Sequence, residues 1–477
     1  MKVSQKNLKD AKGILVIPFF DNGEQAVQLI NESNPFLGLS KEEFNGKLGK
    51  TAFITDKFNF QKILLFGLGA EKEFQVEFIR RMAGAAARYA MSIQSKEVNV
   101  VCQTEWAQAA TEGLVLASYK CITFKSKLED YTPLENGFIV LKDGNATKEI
   151  QKGFILASSQ NYVREMNEGP ANVSTPEQMV EHAKKLAKEN QLKIEVLDKE
   201  ALKKKKMNTI IGVNQGSTRG AYLVTMEYNA DKKNLPFYSI VGKGITFDSG
   251  GLSLKPAQSM MDMKYDKTGA CVTLGIAKAV SELQLPIRLI ACFTVTENMP
   301  SGSAQRPGDI VTSYNGKTIE VLNTDAEGRL ILSDTLAYIA EKKPEVMIDI
   351  ATLTGACIIA LGSYRIGMYS NDDKLAKTIY DAGEQTYERV WRMPLDSEYL
   401  EMMKSDLADL RNVSDSYEAG SITAACFLKE FVGDTKWIHL DIAGVDNNLK
   451  PQPYLGKGAT GIGVRLIVET LEGLTKK

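Results

Sequence analysis

The sequence predicts an α/β fold in two domains, a smaller first domain and a larger second one built on a mixed, mostly parallel central sheet flanked by helices. Three observations carry this. The chain has 477 residues, room for two or three domains at roughly 100–200 residues each. Strand-like and helix-like segments alternate along most of it. The strand-like segments are nearly continuous apolar runs, as in a parallel sheet covered on both faces. With 44% apolar and 25% charged residues, the composition is that of an ordinary globular chain.

The elements follow in order. Ile14–Phe20 is a first strand. It is short, contains Pro18 and precedes no small-residue cleavage site, so it does not read as a signal peptide. Lys62–Ala70 is a strand running into a glycine turn, Val76–Met91 a helix rich in Ala and Arg, and Glu97–Cys102 the next strand. Together they make a βαβ unit of about forty residues. Gln151–Glu168 is a helix that Gly169-Pro170 breaks. The expected division is therefore 1–155 for the N-terminal α/β domain, 156–172 for a linker helix and its break, and 173–477 for the larger domain. There the predicted strands are Phe237–Gly242, Ile287–Phe293, Val346–Ala351 and Trp437–Ile442. The predicted helices include Thr268–Leu283, Gly328–Glu341 and Ile422–Val432. The longest weakly charged stretch, Val346–Gly362, holds Asp349 and is shorter than the ~20 apolar residues of a membrane span. A cytoplasmic protein without membrane contact is expected.

Several chemistries are excluded. Lys+Arg is 58 and Asp+Glu 59, so no overall basic surplus draws the chain to nucleic acid. Six scattered cysteines form no CxxC and read as free thiols of a reducing compartment. With only His182 and His439, HExxH and His-rich zinc sites are impossible. His439, in an apolar strand, reads as a packed, hydrogen-bonded core residue, and His182 as a surface one. There is no GxSxG and no GxxxxGK[ST]. The run Lys203–Lys206 reads as a solvated helix end, a phosphate site being the minority reading. A metal in this chain would be held mostly by carboxylates.

Three stretches supply them. Val241–Lys255 (VGKGITFDSGGLSLK) follows a strand, at the end where open α/β sheets place ligands. It sets Lys243, Asp248 and Lys255 among glycines; taken alone, a surface loop with solvated charges is the stronger reading, by about two to one. Met260–Gly269 (MMDMKYDKTG) places Asp266 before a helix, where a helix dipole would also favour it. Val321–Leu332 (VLNTDAEGRLIL) admits a capping box, Thr324 with Glu327, and an Asp325–Arg329 ion pair. If the chain is instead extended there, Asp325, Glu327 and Arg329 share one side. Carboxylates gathered this way repel unless cations lie between them. Such a cluster can hold two divalent ions about 3.5–4 Å apart and generate hydroxide at neutral pH, which is a hydrolase site.

These stretches resemble the cytosol (leucyl) aminopeptidase family, through GKGITFDSGG (242–251) and NTDAEGRL (323–330). Further similarity lies in IATLTGA (350–356), AACFLKEF (424–431), HLDIAG (439–444) and ATGIGVRL (459–466), and more loosely in LLFGLGAEKE and AGAAARYA of the first half. The resemblance covers nearly all of 160–470. It implies a C-terminal catalytic domain, a homohexamer, and release of N-terminal amino acids from peptides by a metal-bridging hydroxide. It implies two divalent ions, zinc by default, with manganese or magnesium also suited to the ligands. One would be bound by Asp248, Asp325 and Glu327, the other by Lys243, Asp248, Asp266 and Glu327. Lys255 would stabilise the oxyanion, and Arg329 would hold a bicarbonate as general base. The second metal would take the free α-amine, so substrates need a free N-terminus. Met263, Asn323, Thr352, Gly355, Ala443 and Asp446 would line the pocket for the first side chain.

Two positions depart from the family. Where it shows Met and small residues after Asp266, this chain has Lys267-Thr268-Gly269. That extra cation would either repel metal or point away. Asp446 stands where leucine-preferring members often carry an apolar residue, so polar or basic first residues are expected to be tolerated. Two other functions compete: a DNA-binding regulator, against which the balanced charge speaks, and a narrow dipeptidase acting on substrates such as Cys-Gly.

Overall fold

The computed structural model describes residues 1–21, 44, 46–54, 60–127, 132–141, 144–448 and 452–475. Contacts divide the chain into two compact units. One comprises Met1–Asn161 with Asn448–Lys457, the other Tyr162–Asn447 with Gly458–Lys477.

The first unit carries β1 (Lys2–Lys6), β2 (Gly13–Phe20), β3 (Thr51–Ile54), β4 (Phe60–Gly69), β5 (Glu97–Val101) and β6 (Asn136–Val140). They lie in the order β1-β6-β5-β2-β4-β3, parallel except for β3. Pro18 is tolerated inside β2 because β5 pairs β2 only from Ile14 to Val16, so no β5 ladder bond is lost at Pro18. Helix α1 (Val76–Ser92) buries Ile79, Met82, Ala83, Ala86, Ala87 and Ala90, the spacing of one helical face. Its small residues allow close approach to α2 (Ala107–Ser118). A Cβ on Gly113 of α2 would come within 2.3 Å of the Arg80 carbonyl oxygen. Helix α3 (Thr147–Glu168) contains the division between the units.

In the second unit the helices include α4 (Pro176–Glu189), α5 (Lys199–Lys204), α6 (Asn208–Asn214), α7 (Thr268–Glu282), α8 (Glu327–Ala340), α9 (Gly355–Leu361), α10 (Asp373–Thr386), α11 (Gly420–Lys429) and α12 (Val464–Thr475). Lys203–Lys206, at the end of α5, is exposed. The strands are β7 (Lys193–Leu197), β8 (Tyr222–Tyr228), β9 (Phe237–Asp248), β10 (Arg288–Asn298), β11 (Asp309–Thr312), β12 (Thr318–Val321), β13 (Val346–Ala351), β14 (Ile366–Ser370), β15 (Val390–Arg392), β16 (Leu410–Arg411) and β17 (Lys436–Asp441). The main sheet has the order β15-β14-β17-β13-β9-β10-β8-β7. Its centre, β17-β13-β9-β10, is parallel; β8 and β14 join it antiparallel. Thus the sheet is mixed and mostly parallel, as the apolar runs predict. A small sheet, β11-β12-β16, lies apart.

Strand β9 continues six residues past the expected Gly242, and β10 runs to Asn298 instead of Phe293. The apolar pattern stops earlier because polar side chains take over where the strands enter the site. β9 leads through α7 to β10 on one side, while its other neighbour, β13, leads on toward β14 and β17. That reversal opens a crevice at the strand ends, the usual ligand position in such sheets. Among the described residues no helix is long and apolar enough to cross a membrane.

Candidate metal centre

The carboxyl ends of the central strands bring the predicted charges together. Lys243 projects from β9, and Asp248 ends that strand. The chain then turns at Gly250, where φ is +87° and a Cβ would come within 2.4 Å of the Ser253 carbonyl oxygen; only glycine fits. This turn returns Lys255 to the same place. Asp266 lies in a 3-10 turn, Met263–Lys267, that enters α7. Asp325 precedes α8, and Glu327 is its first residue. Gly328 lets α8 pass over Lys243, since a Cβ there would come within 2.7 Å of the lysine Cε.

Lys243 Nζ pairs with Asp266 Oδ1 at 2.7 Å and Glu327 Oε1 at 2.9 Å, and donates to the Thr352 carbonyl at 2.8 Å. Lys255 Nζ pairs with Asp248 Oδ2 at 2.9 Å and Asp325 Oδ1 at 2.5 Å. Carboxylate oxygens of Asp248, Asp325 and Glu327 lie within 4.8 Å of one another. Thr352 Oγ1 donates to Asp266 Oδ1 at 2.6 Å. Asn298 Nδ2 and the Gly250 N–H hold Asp248 Oδ1 at 2.8 and 2.9 Å. The opposite oxygen of Asp266, Oδ2, is buried with no partner.

The electrostatics are those of a crowded acid site. Burial, then the charge of Glu327, pushes Asp248 up to about 7. Burial also holds Asp266 well above the usual carboxylate range and raises Asp325. Burial pushes Glu327 the same way, but Lys243 and Lys255 outweigh it and leave it below its usual value. For Lys243, burial favours the neutral amine, yet Asp266, Glu327 and Asp248 outweigh it and raise the pKa.

This donor set fits a pair of divalent ions. Four carboxylates face two ammonium groups, and one buried carboxylate oxygen is unsatisfied. Oxygen ligands with one amine suit zinc, manganese or magnesium. Nearby dications would reverse the lysine's preference and free its lone pair.

Two local expectations for Val321–Leu332 differ from the structure. The chain is not extended through Arg329, because α8 begins at Glu327. Asp325 and Glu327 still converge, but Arg329 sits in the first helical turn. Nor is there a capping box. Thr324 Oγ1 donates to the Gly250 carbonyl at 2.7 Å and accepts from Ser253 N at 2.8 Å, tying the two motifs together. Arg329 is buried, donates Nη1 to the Asn412 carbonyl at 2.8 Å, and leaves Nε unpartnered. Burial lowers it to about 10, so the guanidinium stays charged at neutral pH.

The extra cation, Lys267, points away from the carboxylates. Its ammonium donates to the carbonyls of Asn167, Gly169 and Lys264 at 3.2, 2.9 and 2.6 Å. The first two lie at and just past the end of α3, where a helix favours positive charge, and the third in the 3-10 turn that carries Lys267 itself. His182 is partly buried, and its pKa is lowered first by that burial, so it is less of a surface residue than expected.

Of the expected pocket residues, Thr352 and Asp446 are buried, Met263, Asn323 and Ala443 are half-buried, and Gly355 is exposed at the start of α9. Asn323 Oδ1 accepts from Asp325 N at 2.8 Å, so it shapes the loop that presents Asp325. Asp446 is 6% exposed, and burial pushes its carboxyl up to about 8. Gly355, Ala443 and Asp446 make no hydrogen bond to the charged cluster.

Three contributors carry no local signal. Asn298 orients Asp248 from a neighbouring strand. Asn412 binds Arg329 and also accepts from Leu322 N at 2.8 Å. Asp441 accepts from Leu353 N and Ala443 N, each at 3.2 Å, and from Thr354 Oγ1 at 2.7 Å, joining two turns beside the site. Each acts across a long sequence separation, so only pairing of distant strands reveals it.

Comparison with known proteins agrees with this geometry. The model of the cytosol aminopeptidase family catalytic domain matches residues 161–468, and that of the family's N-terminal domain matches 37–128. A probable cytosol aminopeptidase of Cenarchaeum symbiosum is 42% identical over 440 residues, 90% of this chain and 89% of that protein. One of Geotalea uraniireducens is 39% identical over 447 residues, covering 91% and 90%. Among solved structures, the bottromycin maturation enzyme BotP in complex with Mn aligns over 97% of this chain and 99% of its own, with a TM-score of 0.87 and 28% identity.

Proposed function

The chain belongs to the cytosol aminopeptidase family and is a metal-dependent hydrolase; from that premise we propose that residues Lys243, Asp248, Asp266, Asp325 and Glu327 hold two divalent ions and that the chain removes N-terminal residues from peptides. The observation that supports this reading is the convergence of four carboxylates around two lysines at the strand ends.

When bound, the ions supply a nucleophilic water activated at neutral pH and a Lewis acid for the scissile carbonyl. The protein's own groups do the rest. Asp248, Asp325 and Glu327 would hold one ion, and Lys243 and Asp266, with Asp248 and Glu327, the other. Thr352 and Asn298 fix Asp266 and Asp248 through hydrogen bonds, as outer-shell partners do. Lys255, only 15% exposed, keeps its charge because Asp248, Glu327 and Asp325 outweigh its burial. It is positioned to stabilise an oxyanion. Arg329 would hold a bicarbonate that takes the proton of the attacking water. The substrate's free α-amine is a required anchor, which makes the enzyme an exopeptidase and not an endopeptidase. The chain would act in the cytoplasm as a homohexamer.

For specificity we propose that Met263, Thr352, Gly355, Ala443 and Asp446 line the first side-chain pocket. A carboxyl at Asp446 tolerates polar or basic side chains that an apolar wall would reject. The test is hydrolysis of Leu-, Met-, Ala-, Arg- and Lys-p-nitroanilide by chelator-treated protein, with zinc or manganese restored, beside Glu327→Gln. Metal-dependent release that disappears in the variant supports the reading. Release that survives in Glu327→Gln with unchanged metal content would sink it. A kcat/KM for Leu far above Arg and Lys would remove the role of Asp446 alone.

A further inference from the structure

Lys267 stands next to a proposed metal ligand, is fully buried, and has no part in the proposed reaction. Its ammonium has three N–H donors and meets three acceptors, the carbonyls of Asn167 at 3.2 Å, Gly169 at 2.9 Å and Lys264 at 2.6 Å. A buried ammonium is costly unless it is paired or hydrogen-bonded. A linear apolar side chain would fill the same space without that cost. What it could not do is hold three carbonyls together, two at the end of α3 and one in the turn before Asp266.

The rest of the turn is tied to the same short segment. Lys264 Nζ donates to the Glu168 carbonyl at 3.2 Å and pairs with Glu168 Oε2 at 3.1 Å. Tyr265 Oη donates to Glu168 Oε2 at 3.0 Å. Asn167 Nδ2 donates to Thr268 Oγ1 at 2.8 Å, and that hydroxyl donates to the Tyr265 carbonyl at 2.5 Å. Glu168 is itself anchored, its Oε1 accepting from Ala459 N at 2.6 Å. Lys264, Tyr265, Lys267 and Thr268 are thus all fastened to Asn167–Gly169. Asp266, in their midst, bonds elsewhere: Oδ1 meets Lys243 and Thr352, while Oδ2 is buried and unpartnered.

We propose that Lys267 is a positioning residue that works with Glu168 to hold Asp266 beside Lys243, where both would bind an ion. The proposal rests on the reading of Asp266 as a metal ligand. A ligand oxygen must keep its place to within about 0.5 Å. Asp266 lies in a 3-10 turn, whose hydrogen-bond geometry is poorer than that of an α-helix. The turn therefore needs outside anchors, and the two anchors straddle Asp266. Glu168 takes the side chains of the two residues before it. Lys267, the residue after it, gathers the end of α3 and the start of the turn around one charge. Loss of either anchor frees the backbone at Asp266 to rotate, and its carboxylate leaves the place beside Lys243.

The test titrates manganese into the full-length, chelator-treated protein by calorimetry. The variants are Lys267→Met, Glu168→Gln, Asp266→Asn, and Lys267→Met combined with Asp266→Asn. Lys267→Met should weaken one of the two ions by about 10–100-fold, the range for partners that orient a ligand, and leave the other unchanged. Glu168→Gln should weaken the same ion severalfold. The combined variant should bind no more weakly than Asp266→Asn, because Lys267 acts through Asp266. A lysine that serves only the fold would weaken both ions or neither, and its effect would add to that of Asp266→Asn; either result overturns the proposal. If Lys267→Met does not fold, Glu168→Gln decides alone, and unchanged affinity for both ions overturns it. Asp266→Asn separates the two readings. If it leaves both affinities unchanged, the ligand assignment fails and the clamp with it. If it weakens one ion while Lys267→Met and Glu168→Gln weaken neither, the clamp alone fails.

Discussion

Two buried charge clusters in this molecule obey opposite rules. In the first unit Arg80 pairs with Glu112 at 2.6 Å and Glu77 at 3.0 Å, and Arg81 pairs with Glu77 at 3.0 Å. Gln108 donates to Glu112 at 2.9 Å and Tyr454 to Glu77 at 3.3 Å. Among the described residues, two acids meet two guanidinium groups, with neutral donors beside them. At the strand ends of the second unit, four acids meet two lysines, Asp266 Oδ2 has no partner, and Asp248 is pushed up to about 7. Among the described residues, the first cluster pairs acid with base one to one. The second holds more acids than bases, with one buried carboxylate oxygen unpartnered, the charge pattern of a candidate cation site. Perturbed titration in a cleft and structural ion pairs are thus told apart by balance, not by burial.

Breaking the balanced cluster gives the largest expected effect. Arg80→Met leaves Glu112 and Glu77 buried with less compensation, and should cost about 3–5 kcal/mol of stability. Chemical denaturation of the folded protein measures it. Because Arg80 is remote in sequence and function from the carboxylate site, kcat/KM of the still-folded enzyme should be unchanged. A stable variant would show that the pairing contributes little.

The unbalanced cluster should respond the other way. Lys255→Met should lower kcat by about 10²–10³-fold, the loss typical of one oxyanion donor. Stability should hold or rise, since removing an ammonium matters less once metal is bound. Steady-state kinetics with thermal melts checks both halves; loss of stability without loss of kcat would reverse the assignment.

The smallest effect concerns Asp446, an isolated buried acid that belongs to neither pattern. Its folded pKa, about 8, lies above its unfolded value of 3.8. The native state therefore binds more protons than the unfolded state between those values, and stability falls as pH rises through that window. Asp446→Asn should flatten that fall, so its melting temperature gains on the unaltered protein between pH 5 and about 8. Parallel melting curves against pH in both proteins would remove the burial effect assigned to Asp446.

Much of this was legible in the chain. Helix α1 follows from its Ala and Ile spacing, and β13 and β17 from their apolar runs. Lys243, Asp248, Lys255, Asp266, Asp325 and Glu327 stand in two glycine-rich motifs and one pre-helix turn, where residue type and position relative to a strand end already imply carboxylate ligands. Strands such as β1, β7 and β8 were missed. β1 lies in a largely exposed segment, and β7 is a five-residue strand at the sheet edge with a single buried residue.

The sequence by itself determined the class of chemistry: two histidines and a concentration of acids beside strand ends leave a carboxylate-bound metal as the economical site. It also determined the α/β alternation, because periodicity and glycine breaks are local properties of the chain. Only the tertiary structure decided that α8 starts at Glu327, that Lys267 turns its ammonium to backbone carbonyls, and that Asn298, Asn412 and Asp441 stand around the site. The physical reason is range. Propensity and patterning act over a few residues, whereas burial of a charge and the hydrogen bonds that satisfy it join residues from strands and loops far apart in sequence, and exist only once the sheet has formed.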